Sequence, residues 1–220
     1  HTLNAKILRE NGKYNEAIRE INKSLQVCPD DKLLLIEKAM NLKMSGEVPE
    51  GLLIASELSQ KYPGDTKILN LLANLYNDID DIVAAEKVAR KSLSIDGNQS
   101  DIHKLLGQLA KKQGYLDQAL DHLSKAALIN EMDVEAWVEM GDIYVNQDET
   151  EKALNAYREA CNRDDKNYLA FYKSGLLLRD LKDYQGAEQM LRIASELSPK
   201  DASIRRQLAG VIALNLVHSA

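Results

Sequence analysis

The chain has 220 residues, 28% of them charged and 45% hydrophobic, and a net charge of −6. That balance reads as globular rather than disordered, and its acidity argues against nucleic acid as a partner. With aromatics at 5% and four prolines a β-sandwich is disfavoured, and no apolar run approaches the ~18 residues that a membrane span requires.

The chain opens on His1-Thr2-Leu3-Asn4, without initiator Met or signal-peptide core, and reads as a cut from a longer chain or the remnant of a tag. Residues 1–31 then give the end of one helix, a stop at Gly12 and a second helix around Ala17. Residues 32–65 start behind the N-cap Asp31, stop at Gly46 and restart with Pro49, in an opening turn where a missing N–H costs little. Residues 66–99 follow Asp65. Residues 100–133 follow Gln99, where Ser100 and Asp101 replace the usual cap, and break at Gly114. Residues 134–167 follow Asp133: Trp137, Met140, Gly141 and Tyr144 fall on one helix face, and Ala153, Tyr157 and Ala160 form a second stripe. Residues 168–201 follow Asn167, and a last helix, 202–217, follows Asp201.

Three series of residues recur every 34 positions. Ala39, Ala73, Gly107, Gly141, Gly175 and Ala209 form one, and Ala17, Gly51, Ala85, Ala119, Ala153 and Ala187 the second. The third, Pro29, Pro63, Gly97, Glu131, Asp165 and Pro199, marks a turn. The small residues belong where paired helices cross. A larger side chain at Gly141 or Ala153 is expected to overpack the crossing, at about 1–3 kcal/mol. Units of this kind contact only their neighbours and expose a large surface.

Trp137, Met140-Gly141, Tyr144, Ala153, Tyr157 and Ala160 resemble the tetratricopeptide repeat, as do Phe171, Gly175, Tyr184, Ala187, Leu191, Ala194 and Pro199. The resemblance covers the chain as one array: a truncated first repeat (1–31), five complete ones and the terminal helix. Lys38 and Gly51 depart from the pattern and are expected to loosen residues 32–65. The resemblance implies an all-α, right-handed superhelical solenoid of antiparallel helix pairs. It also implies a concave groove, lined by the first helix of each repeat, that binds a peptide or protein.

With that geometry the groove positions include Leu33, Ile36, Glu37, Met40, Lys43 and Met44, then Lys67, Asn70, Leu71, Asn74 and Asn77, then Lys104, Leu105, Gln108, Lys111 and Lys112. Glu135, Val138, Glu139, Asp142 and Asn146 follow, then Leu169, Tyr172, Lys173, Leu176 and Arg179, and finally Arg206 and Gln207. Residues 134–167 carry nine acidic and four basic residues, so Glu135, Glu139 and Asp142 lie between cations on both sides. Two readings stand: a polarised groove that sets ligand direction, or a solvated helix face. The Leu33/Ile36/Met40/Met44 stripe is either an apolar ligand site or a lining covered by a further repeat. Asn70 and Asn74 either bond an extended peptide backbone or face water. The chaperone-docking subclass grips a terminal carboxylate with a Lys/Asn set that no three consecutive repeats supply here.

No phosphate loop, His-Glu-x-x-His or Cys-x-x-Cys is present, so neither catalysis nor a metal or cofactor is expected. His103 takes the Trp register and reads as packing. Asp78, Asp80 and Asp81 read as a solvated turn, and Cys161 as a small buried hydrophobe. Cys28 and Cys161 are too far apart in a stack of local repeats to pair, which favours a cytoplasmic setting. The last helix is apolar on more than one side and is expected to be covered by further chain, a partner or a second copy. The function expected is a scaffold or adaptor. The alternatives are an accessory module of a larger enzyme or secretion assembly, and a scaffold that self-associates through its terminal helices.

Overall fold

The structure, a computed structural model, describes residues 2–218, and every regular element among them is an α-helix. In chain order they are α1 (Thr2–Glu10), α2 (Tyr14–Val27), α3 (Lys32–Ser45), α4 (Val48–Lys61), α5 (Thr66–Asp78), α6 (Ile82–Ile95) and α7 (Ser100–Lys112). Then come α8 (Leu116–Ile129), α9 (Val134–Asn146), α10 (Thr150–Arg163), α11 (Tyr168–Asp180), α12 (Tyr184–Leu197) and α13 (Ala202–His218). Odd-numbered helices from α3 onward start 34 residues apart, and even-numbered helices from α2 onward do the same. The chain divides into two compact units, residues 1–109 and 110–220.

Starts and stops repeat because their chemistry repeats. Asp31 accepts from the N–H groups of Leu33 and Leu34, Asp65 from Lys67 and Ile68, Asp133 from Ala136, Asn167 from Ala170 and Asp201 from Ser203 and Ile204. Each bond satisfies a donor that the first turn leaves orphaned. Between paired helices the backbone turns left-handed at Gly12, Gly46 and Gly114, and at the same register at Asp80, Asp148 and Lys182. The glycines were legible as stops. The other three positions carry the same turn without its usual residue.

The crossings are as tight as the small residues imply. A Cβ on Gly141 would lie 2.3 Å from Tyr157 Cε1, and one on Gly175 would lie 2.8 Å from Leu191 Cγ. Gly51, read as loosening its repeat, sits close: a Cβ there would approach the Ala39 carbonyl to 3.1 Å. Lys38 reaches Glu50 at 3.0 Å. Ala209 departs from its series. It is exposed, because no described helix follows α13 to pair with it as α4 does with α3.

In the first unit, the core runs from Ala5, Ala17, Ile21 and Leu34 through Ile68, Leu72 and Leu75 to Ile102, Leu106 and Leu109. In the second, Leu123, Met140 and Ile143 lead to Ala153, Tyr157 and Ala170, then to Phe171, Leu191, Ile204 and Val211. His103 is buried, with Nε2 3.3 Å from the Gly97 carbonyl. Cys161 is half-buried rather than buried, and burial pushes its thiol up to about 11; both cysteines are free. α13 extends through His218, whose ring stacks on Tyr184, and it buries Ile204 and Val211 while Leu216 and Val217 stay exposed.

Candidate functional site

In the first unit the faces of α1, α3 and α5 line a concavity of about 940 Å³. Its apolar part comes from Leu3, Leu33, Ile36, Met40, Met44 and Leu71, and its polar part includes Lys6, Arg9, Glu10, Glu37, Lys43, Lys67, Asn70 and Asn74. Met40, Met44, Asn70 and Asn74, singled out from sequence, are thus brought together. The share of α1 was missed. Its signal was available, since Lys6, Arg9 and Glu10 lie 34 residues before Met40, Lys43 and Met44.

Much of the polar lining is already engaged. Arg9 Nη1 donates to Glu37 Oε2 at 2.7 Å and also lies 3.3 Å from Met40 Sδ, and both charged side chains are largely buried. Lys43 Nζ lies 2.7 Å from Asp78 Oδ2. Asn70 donates from Nδ2 to Gln99 Oε1 at 2.7 Å, and its Oδ1 accepts from Ser92 Oγ at 2.6 Å. Asn74 spends an amide hydrogen on the Asn70 carbonyl, at 2.8 Å. Asn70 therefore braces its own repeat, where the sequence left open a free amide for a peptide backbone.

A smaller concavity of about 360 Å³ lies in the second unit, lined by Lys111, Asp142, Asn146, Lys173, Leu176 and Asp180 among others. Asp142 is its electrostatic centre. It accepts from Lys173 Nζ at 3.0 Å and from Tyr157 Oη at 2.6 Å, and Glu139 approaches Lys111 at 4.0 Å. Burial, reinforced by the Asp142 carboxylate, holds the Tyr157 phenol far above its usual range. The acidic stretch is thus met by its own cationic neighbours.

The remaining positions are placed differently. Leu105 and Val138, read as groove lining, are buried in the packing between helices. Lys104 and Gln108 are half-buried on α7, and Glu135 and Arg206 are exposed. Tyr172 lies half-buried, with Oη 3.3 Å from Ser203 Oγ. Asp81 caps the Ala84 N–H, and no group of three or more His, Cys, Asp and Glu among the described residues is placed to hold a metal. No helix among the described residues is long and apolar enough to cross a membrane.

Helix pairs on a fixed step, small crossing residues and, in the first unit, first-helix faces turned to one concavity define a helical-repeat protein. The chain belongs to the tetratricopeptide repeat family: the family model "Tetratricopeptide repeat protein 21 ARM repeat" matches residues 1–160, and "Tetratricopeptide repeat" matches residues 138–202. It is 27% identical over 132 residues to Protein bimA of Emericella nidulans, across 60% of this chain and 16% of the relative. It is 30% identical over 115 residues to anaphase-promoting complex subunit 3 of Schizosaccharomyces pombe, across 52% and 17%. The chain therefore spans only about a sixth of the length of these relatives. Among solved structures, the APC/C hetero-tetramer Cut9–Hcn1 matches with a TM-score of 0.78 at 17% identity, covering 96% of this chain and 42% of that one. MamA matches at 0.67 and 20% identity, covering 75% and 96%. YrrB, described as a TPR protein with an unusual peptide-binding site, matches at 0.62 and 21%, covering 84% and 96%.

Proposed function

We propose that this chain is a non-catalytic, cytoplasmic scaffold segment that holds a partner polypeptide against its first-helix faces, chiefly in the concavity of the first unit. The observation that carries the reading is that concavity. Met40, Met44 and Leu33 leave apolar surface at its centre, and soluble proteins cover such surface or use it. The ion pairs around it fix the wall in place, so a partner meets a preformed surface. The test compares proteins captured from cells by the wild type, by Met40→Glu/Met44→Glu and by Val83→Glu, which alters an exposed residue of α6 outside the concavity. Loss of a captured protein with the first variant alone supports the reading. Equal capture by all three moves the site elsewhere.

A second reading is favoured by the relatives. One is named as a subunit of the anaphase-promoting complex, and human general transcription factor 3C polypeptide 3 matches at 28% identity over 105 residues, 12% of its length. On this reading the chain is one stretch of an assembly subunit, and its partner is a neighbouring subunit. Co-purification of a fixed set of proteins in constant ratio distinguishes this from exchange of single clients.

A further inference from the structure

We infer that the occupant of the first unit's concavity is an acidic amphipathic α-helix of a partner protein, which refines the function proposed above and rests on it. Two observations carry the inference. The first concerns backbone chemistry. An extended peptide lying in the concavity would bring unpaired N–H and C=O groups onto a largely apolar wall, and each needs a partner there. The wall has few amides to offer: both ends of the Asn70 side chain are bonded within its own repeat, and Asn74 has one of its two amide hydrogens on the Asn70 carbonyl, too little to serve the backbone of a whole extended segment. A helix satisfies its own backbone and asks the wall only for apolar area. Met40 and Met44 suit that demand, since the unbranched thioether adapts to whatever side chains it meets.

The second observation is charge. With Arg9 on Glu37 and Lys43 on Asp78, the lining's charges without an ion-pair partner among the described residues are Lys6, Lys67 and Glu10, two ammoniums against one carboxylate. Lys6 stands on α1 and Lys67 on α5, so they bracket the apolar centre from opposite sides, in a chain whose net charge is −6. Axes packed 8–10 Å apart put roughly 20 Å between the outer two of three helices. A helix of about 13 residues has that length. Carboxylates near its ends would reach Lys6 and Lys67 while an i, i+3/i+4, i+7 apolar stripe faced the methionines.

The probe is a display library of random 16-residue peptides, selected on the 220-residue chain and counter-screened on three variants: Lys6→Glu/Lys67→Glu, Met40→Glu/Met44→Glu and Val83→Glu. All substituted side chains except Met40 are exposed, and circular dichroism with thermal melts checks each fold. The expected winners carry net negative charge and helical apolar periodicity, and become helical when bound. They should lose roughly tenfold in affinity on Lys6→Glu/Lys67→Glu, and Lys-substituted versions should recover binding to that variant. Winners that are basic, proline-rich or alternating, yet lost on Met40→Glu/Met44→Glu, overturn the acidic helix and leave the concavity as a binding site. Winners indifferent to the methionines, or no winners at all, overturn both. A chain that dimerises through this face, with dimerisation lost on Met40→Glu/Met44→Glu, also overturns the inference, since a second copy is then the occupant.

Discussion

At the scale of single residues, two positions carry unusual stress. Gly141 faces the Tyr157 ring so closely that a single methyl cannot enter without moving it, and that ring is anchored through its hydroxyl to Asp142. Gly141→Ala is therefore expected to cost about 1–3 kcal/mol, the range for overpacking a tight crossing. Truncating the ring should recover part of the loss, so a double-mutant cycle with Tyr157→Leu is the check; additive losses would mean that the two sites do not clash. Asn41 carries the opposite kind of stress. It is fully buried, its Nδ2 donates to the Glu37 carbonyl at 2.8 Å, and its Oδ1 has no partner among the described residues. The same register holds Leu75, Leu109 and Ile143 in later repeats, all buried. Asn41→Leu is expected to stabilise by about 1–2 kcal/mol, because an unsatisfied buried acceptor is removed. In a chain of this size that raises Tm by about 2–4 °C per kcal/mol, readable by calorimetry.

At the scale of elements, the join between α3 and α5 shows how a cap becomes a tertiary contact. Asp65 caps α5 and also receives Lys32, the first residue of α3, at 2.9 Å. Burial alone would raise its pKa, but Lys32 and the N–H groups of Ile68 and Lys67 outweigh it, and the carboxyl lies below its ordinary value. A group depressed in the fold stabilises at pH above its unfolded pKa and loses that contribution as pH falls through the folded value. Asp65→Asn keeps a capping side chain but gives up the Lys32 pair. The wild type should therefore be the more stable at pH 7, and its advantage should shrink as pH falls below about 4. Denaturant melts of both proteins at stepped pH test this, and an advantage that persists at pH 2 would assign the effect to something other than Asp65. Caps such as Asp65 were legible because a short acceptor before an apolar stripe has one common use. The Lys32 pair was not, since it joins residues 33 apart and depends on how closely two repeats stack. The ion pairs Arg9–Glu37 and Lys111–Glu139 were hidden for the same reason.

At the scale of the whole molecule, a repeat period says which residues are equivalent but not which of them lack a neighbour. The helix starts and the small crossing residues could be read from the 34-residue step, and the α3 and α5 parts of the concavity from the resemblance to the tetratricopeptide repeat. The exposure of Ala209 could not, because its register is buried elsewhere only by a second helix. The same logic predicts graded stability. Within the second unit α11 packs against α9, α10, α12 and α13, whereas the last turn of α13 leaves Leu216 and Val217 at 69% and 73% exposure. Stability in a stacked array is close to a sum of each unit's own term and its nearest-neighbour terms. Amide exchange should therefore be slowest in α10 and α11 and fastest in the last turn of α13. Gly141→Ala should lower protection first in α9 and α10 and least in α13, because the lost packing lies at that crossing. Uniform loss of protection across α9 to α13 would show instead that the unit opens as one cooperative block.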